Sequence, residues 1–126
     1  MKAGRELDAL IAEKVFGEDV AWYSDGPDET KDPCTLWDNR FLPIANYSTD
    51  IKDAWEVADR AKINAVIRLK DGRWIARIDE PAELEDYYEV STYQSGRSKF
   101  SVAETVPLSI CLAALAAIEN DVTSNR

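Results

Sequence analysis

The thirteen residues from Val106 to Ile118 form the most apolar run of the chain. A run this short is built for a protein core, because crossing a bilayer takes roughly 20 apolar residues. Thr105 stands where an N-cap belongs and Pro107 falls in the first turn, so the run reads as a helix. Leu108, Cys111, Leu112, Leu115 and Ile118 recur at helical spacing and make its expected buried face. Ala113, Ala114, Ala116 and Ala117 allow close approach on its other sides. A chain of 126 residues, 45% hydrophobic and 31% charged, is sized for one domain, 1–126, with a real core.

Two more helices are expected. Leu7, Leu10, Ile11 and Val15 share one face of a helix over about Arg5 to Phe16, with Glu6, Asp8, Glu13 and Lys14 largely off it. Gly17 stands where a C-terminal glycine belongs. The second helix begins after Tyr47 and runs to about Lys62. Ser48 or Thr49 can cap it, and Asp50 sets a negative charge in its first turn. Ile51, Ala54, Trp55, Ala58 and Ala61 follow one face.

The clearest strand signal is a hairpin, 65–69 and 73–78, joined at Lys70-Asp71-Gly72. The Asp-Gly pair supplies the positive φ that tight turns need. Alternation places Ile67, Leu69, Trp74, Ala76 and Ile78 on the core face, with Arg68, Arg73 and Arg77 turned away. Lys99–Ala103 reads as a further strand, Tyr87–Val90 as the start of another, and 94–97 as a turn. Residues 18–46 form an irregular insert rich in Pro and Asp-Gly, yet holding Trp22, Tyr23, Trp37 and Phe41. Short strands fit 20–23 and 35–37 within it. The fold class is α+β, an antiparallel sheet of three to five strands with about three helices packed on it.

The net charge of −9 is unevenly placed. Residues 18–38 hold seven acids and one lysine; residues 79–89 hold six acids and no base. The rest of the chain carries +3. This acidity argues against direct nucleic-acid binding, which displaces phosphate counterions with basic charge. The chain has no histidine. That excludes Ser-His-Asp triads, Cys-His pairs and imidazole metal ligands. Cys34 and Cys111 form no CxxC pair, and two scattered thiols suit a reducing compartment. No phosphate-binding glycine motif or calcium loop occurs. No catalytic residue, cofactor or metal is therefore expected. The amphipathic N-terminus has acids inside its apolar stretch, unlike a secretion signal, so the expected location is the host cytoplasm.

Two groups of residues are candidates for binding. Trp22, Tyr23 and Trp37 with Asp79, Glu80, Glu83, Glu85 and Asp86 would make an aromatic and acidic surface for a partner with a basic face. Tyr47, Ser48, Thr49 and Asp50 open a helix, where backbone N–H groups can hold an anion. Arg68 or Arg73 would supply its counter-charge.

Three segments together resemble the phage ABA-sandwich domain family. They are Gly4-Arg-Glu-Leu-Asp through Gly17, Asn46-Tyr-Ser-Thr-Asp through Val57, and Glu104-Thr-Val-Pro-Leu through Leu115. Asn46, where the family pattern has proline, and the long insert before it are departures. The resemblance implies a layered helix–sheet–helix sandwich and a phage or prophage origin. It implies no activity and carries over no catalytic residue.

The reading that follows is a non-enzymatic phage or prophage accessory protein that binds a host or phage protein, concretely an anti-CRISPR-like counter-defence inhibitor. The alternatives are a module that sequesters a nucleotide-like or anionic metabolite, and a structural or assembly protein, homodimeric through the hairpin edge.

Overall fold

A computed structural model describes residues 1–23, 32–37, 40–78 and 99–124. Asp79, Glu80, Glu83, Glu85, Asp86, the strand expected from Tyr87 and the turn at 94–97 lie outside the described residues. Among the described residues three helices occur, α1 (Arg5–Lys14), α2 (Ile51–Ala61) and α3 (Val106–Ser124). Among the described residues six strands form two antiparallel sheets rather than the one expected. The first orders β1 (Val20–Tyr23), β2 (Asp32–Trp37) and β3 (Arg40–Pro43). The second orders β4 (Ala65–Arg68), β5 (Trp74–Ile78) and β6 (Lys99–Ala103). The class is α+β.

α3 is the hub of the packing. It lies against β5 and β6 and against α2, and meets α1 over a smaller area. None of residues 106–118 is exposed, as expected of a helix apolar on every side. Its deepest positions differ from the leucine face read from spacing. Ile110, Cys111, Ala113 and Ala114 are fully buried, while Leu108, Leu112 and Leu115 are half-buried at the rim of the core. The small alanines sit where neighbours come closest, and the leucines fill the margins. The start of α3 matches its signals: the Leu108 N–H donates to Thr105 Oγ1 at 3.3 Å.

The hairpin forms as expected. The Leu69 N–H donates to the Arg73 carbonyl and the Gly72 N–H to the Leu69 carbonyl, a three-residue connection with positive φ at Gly72 alone. This register pairs Arg68 with Trp74 and Ile67 with Ile75. Arg68 therefore shares the core-side face with Trp74 and Ala76, and Ile67 turns outward with Ile75, which corrects the expected face. Alternation within each strand was legible, but the phase between them depends on the turn length.

The insert holds a complete small sheet, including β3, which the sequence reading treats as irregular. Pro33 in the central strand is tolerated because β3 ends opposite Cys34. The Pro33 carbonyl accepts from the Ile44 N–H beyond that end, and the Ile44 carbonyl, which a Pro33 N–H would have reached, accepts from Arg5 Nη2. Cys34 is buried in β2; it and buried Cys111 are free thiols.

α2 also departs from expectation. Asp50 is its N-cap, its Oδ1 accepting from the Lys52 and Asp53 N–H groups at 2.8 and 3.2 Å, in place of Ser48 or Thr49. Ala54, Val57 and Ala58 face the core, while Ile51 and Trp55 are exposed. The helix packs through its small residues, so its two largest apolar side chains face outward.

Candidate functional site

Asp8 was expected at the surface and is only 1% exposed. Its Oδ1 accepts from the Ser48 N–H at 2.8 Å and the Ser48 hydroxyl at 2.7 Å. Its Oδ2 pairs with Arg5 Nη1 at 3.0 Å. Arg5 also donates to the carbonyls of Ile44 and Ala45 and to Asn46 Oδ1. The Gly4 N–H donates to Ser48 Oγ at 2.9 Å. Ser48 has one hydroxyl proton, so the 2.7 Å contact to Asp8 takes it and the 3.2 Å contact to the Gly4 carbonyl is secondary. These bonds clasp the start of α1 to the turn that leads into α2. Asn46, the departure from proline, strengthens the clasp. Its N–H donates to Asp53 Oδ2 and its side chain accepts from Arg5, two bonds a proline would lack.

This geometry bears on the expected anion site. Ser48 is fully buried and spent on the clasp. Asp50 spends its carboxylate on the α2 cap. Tyr47 is buried and stacks on Phe16, ring centroids 5.1 Å apart. Burial pushes its phenol up to about 12, with the charges of Glu18, Glu56 and Asp53 adding to the effect. Thr49 is exposed. The carboxylates of Asp8, Asp50 and Asp53 surround this helix start, a setting that repels anions.

The two arginines are engaged in their own hairpin. The Arg68 guanidinium lies 6.0 Å from the centroid of the Trp74 ring. Arg73 pairs with Asp71 at 2.8 Å, and its N–H groups hold the Asp71 carboxyl below the usual range. The structure therefore joins Tyr47, Ser48 and Asp50 into one corner but links neither arginine to it by a hydrogen bond or ion pair. Among the described residues no cluster of three His, Cys, Asp or Glu side chains offers a metal site.

The aromatic candidates lie on the first sheet. Trp22 is exposed and opposite Pro33. Tyr23 pairs with Asp32 and Trp37 with Arg40 in the strand register. The sheet also exposes Leu36 and Leu42, which the sequence did not single out. Leu36, 61% exposed, sits directly opposite Phe41, 47% exposed, and Leu42 is exposed on the other face. All four residues of β3 face solvent. Leu36 was missed although a short strand fits 35–37, because three residues are too few for alternation to mark a face. Exposed Glu18, Asp19 and Asp32 flank this sheet.

No helix among the described residues is long and apolar enough to cross a membrane. A search of curated proteins gives no match. Among solved structures, the chain is similar to a phage protein from Bacillus cereus. The two are 27% identical, the match covers 94% of this chain and 89% of that one, and the TM-score is 0.64. Residues 9–115 match the phage ABA sandwich domain. That match spans the Ser48 side of the clasp, both sheets and the first half of α3, and by it the chain belongs to the phage ABA sandwich domain family.

Proposed function

We propose that this is a non-enzymatic phage accessory protein that acts by binding a partner protein through its first sheet. The observation that carries the reading is the Leu36–Phe41 pair, two large apolar side chains opposed across β2 and β3 and left in solvent. The pair gives one face of this small sheet an exposed apolar spot of the kind that marks interaction sites, while exposed Leu42 and Trp22 lie on the other face. The acids around it and the charge of −9 favour a partner with a basic surface, by speeding encounter. Inhibition of a host defence system, as an anti-CRISPR protein does, is the concrete form of the proposal, with the host cytoplasm as its setting. The corner at Ser48 supports scaffolding better than metabolite capture, because its polar groups are already paired.

Immobilised protein should retain a bacterial protein that Leu36→Asp and Phe41→Asp variants lose while keeping the wild-type melting temperature. The retained protein, once purified, should bind wild type and not the variants. Equal retention by all three would refute the reading. Expression in cells with active CRISPR interference tests the narrower form: plaque counts should rise with wild type and stay low with Phe41→Asp.

A further inference from the structure

The second sheet ends in an open edge. Its order is β4-β5-β6, and among the described residues no strand lies beyond β6. Hydrogen-bonded pairs alternate along an antiparallel ladder. The Leu69 N–H donates to the Arg73 carbonyl and the Asn64 N–H to the Arg77 carbonyl, so Arg73, Ile75 and Arg77 turn their main-chain groups toward β4. Trp74, Ala76 and Ile78 are left to bond Ala103, Ser101 and Lys99 of β6. The N–H and C=O groups of Phe100 and Val102 therefore point outward, away from the sheet. Their side chains lie in line with Ile75 and Arg77, on the face opposite buried Ala76 and Ala103. Phe100 is 57% exposed and Val102 half-buried.

We propose that β6 pairs with β6 of a second copy, antiparallel about a two-fold axis at Ser101. Phe100 then stands opposite the second copy's Val102, and Val102 opposite its Phe100. Both positions turn their main-chain groups outward, so each pair exchanges two N–H···O bonds. Ser101 meets its own counterpart between them, with its main-chain groups kept on β5. Each Phe100 ring lies against the other copy's Val102, and the apolar row Ile67, Ile75, Val102 runs on into the second sheet. A shift of one residue opposes an outward group to an inward one. A shift of two opposes Phe100 to Glu104, or Val102 to Ser98. One register is therefore selected, and it is self-complementary, which commits the edge to a second copy. The hairpin's own edge, β4, lacks this property. Its outward groups belong to Val66 and Arg68, and the same operation opposes Val66, packed on the core, to an arginine that lies by Trp74. Two chains of −9 repel at long range, so the contact is expected at physiological salt, where that repulsion is screened.

Sedimentation equilibrium of the full chain up to about 100 µM, at about 0.15 M salt, tests this. The expected result is a mass approaching twice 14.2 kDa. Hydrogen exchange read amide by amide should slow at Phe100 and Val102 by about threefold or more between about 1 and 100 µM protein, with a smaller change at Ser101, which is already bonded to β5. Val102→Pro removes an outward N–H without touching a bond to β5 and should return the mass to that of the monomer. Phe100→Glu changes an exposed side chain and should do the same, while keeping the melting temperature of dilute wild type. A monomer at the highest concentration would overturn the proposal. So would a dimer that survives both variants, or one abolished by Phe41→Asp, since either places the contact elsewhere.

Discussion

Replacing Ser48 with alanine should be among the most damaging single-atom changes in this chain. The hydroxyl makes a 2.7 Å bond to the buried Asp8 carboxylate and accepts the Gly4 N–H at 2.9 Å. A hydrogen bond to a charged group contributes about 1.5–3 kcal/mol and a neutral one about 0.5–1.5 kcal/mol. Loss of both predicts a destabilisation of about 2–4 kcal/mol. Asp8→Ala should cost more, about 3–5 kcal/mol, because it removes two bonds from Ser48 to a charged acceptor, about 1.5–3 kcal/mol each, and leaves the buried Ser48 N–H without a partner. The two residues share a bond, so the double variant should be less destabilised than the sum of the singles by about 1.5–3 kcal/mol. Urea unfolding followed by far-UV circular dichroism reads all three, with an unchanged m-value required for the comparison. A cost below about 1 kcal/mol for Ser48→Ala, or additivity within about 0.5 kcal/mol, would refute the clasp as a stabilising unit.

Three further outcomes follow from the same geometry. Gly4 has φ 148° and ψ −174°, a region only glycine enters readily, with open space where a Cβ would go. Gly4→Ala should therefore cost about 1–3 kcal/mol by backbone strain alone, measured by urea unfolding. Lys62 ends α2 in the left-handed conformation, φ 63° and ψ 45°, so Lys62→Gly should raise stability by about 0.5–1 kcal/mol. Burial raises the Tyr47 phenol from 10.0 to about 12 and the Cys111 thiol from 9.0 to about 12, with Asp8 adding to the latter. Both groups hold their protons more tightly folded than unfolded. Stability should be intact below pH 9, then fall between pH 9 and 12 by up to about 1.4 kcal/mol per unit for each group. Thermal melts across that range should show the fall, and Tyr47→Phe should flatten its upper part.

The elements legible in the sequence were those set by local chemistry. The α3 start follows from Thr105 and Pro107, the hairpin from Asp71-Gly72, and α1 from its apolar spacing. What stayed hidden depended on partners far along the chain. Asp8 lies 40 positions from Ser48, so nothing near it in sequence distinguishes a buried acceptor from a solvated carboxylate. Ser48 looked like a cap because it precedes a helix; the true cap, Asp50, differs only in which N–H groups its side chain reaches. Trp55 fits an apolar face by spacing, yet α2 packs through Ala54, Val57 and Ala58, and only the neighbouring helix decides which residues fit. The three segments that carry the family resemblance are explained in part by the clasp. Two of them, at Gly4–Asp8 and Asn46–Asp50, are the two halves of one hydrogen-bonded corner. The aromatic residues of the insert, Phe41 among them, stood out in the sequence; Leu36 did not, because it gains meaning only from the register that opposes it to Phe41.

The corner holds the fold, and the first sheet is the proposed partner site. Quantitative mass spectrometry of proteins retained from a bacterial lysate by wild type, Phe41→Asp and Thr49→Ala tests it most directly, Thr49 being exposed and on the corner. The account predicts a protein retained equally by wild type and Thr49→Ala and lost with Phe41→Asp, all three melting within a few degrees of one another. A partner that stays with Phe41→Asp and leaves with Thr49→Ala would place recognition at the corner and contradict it.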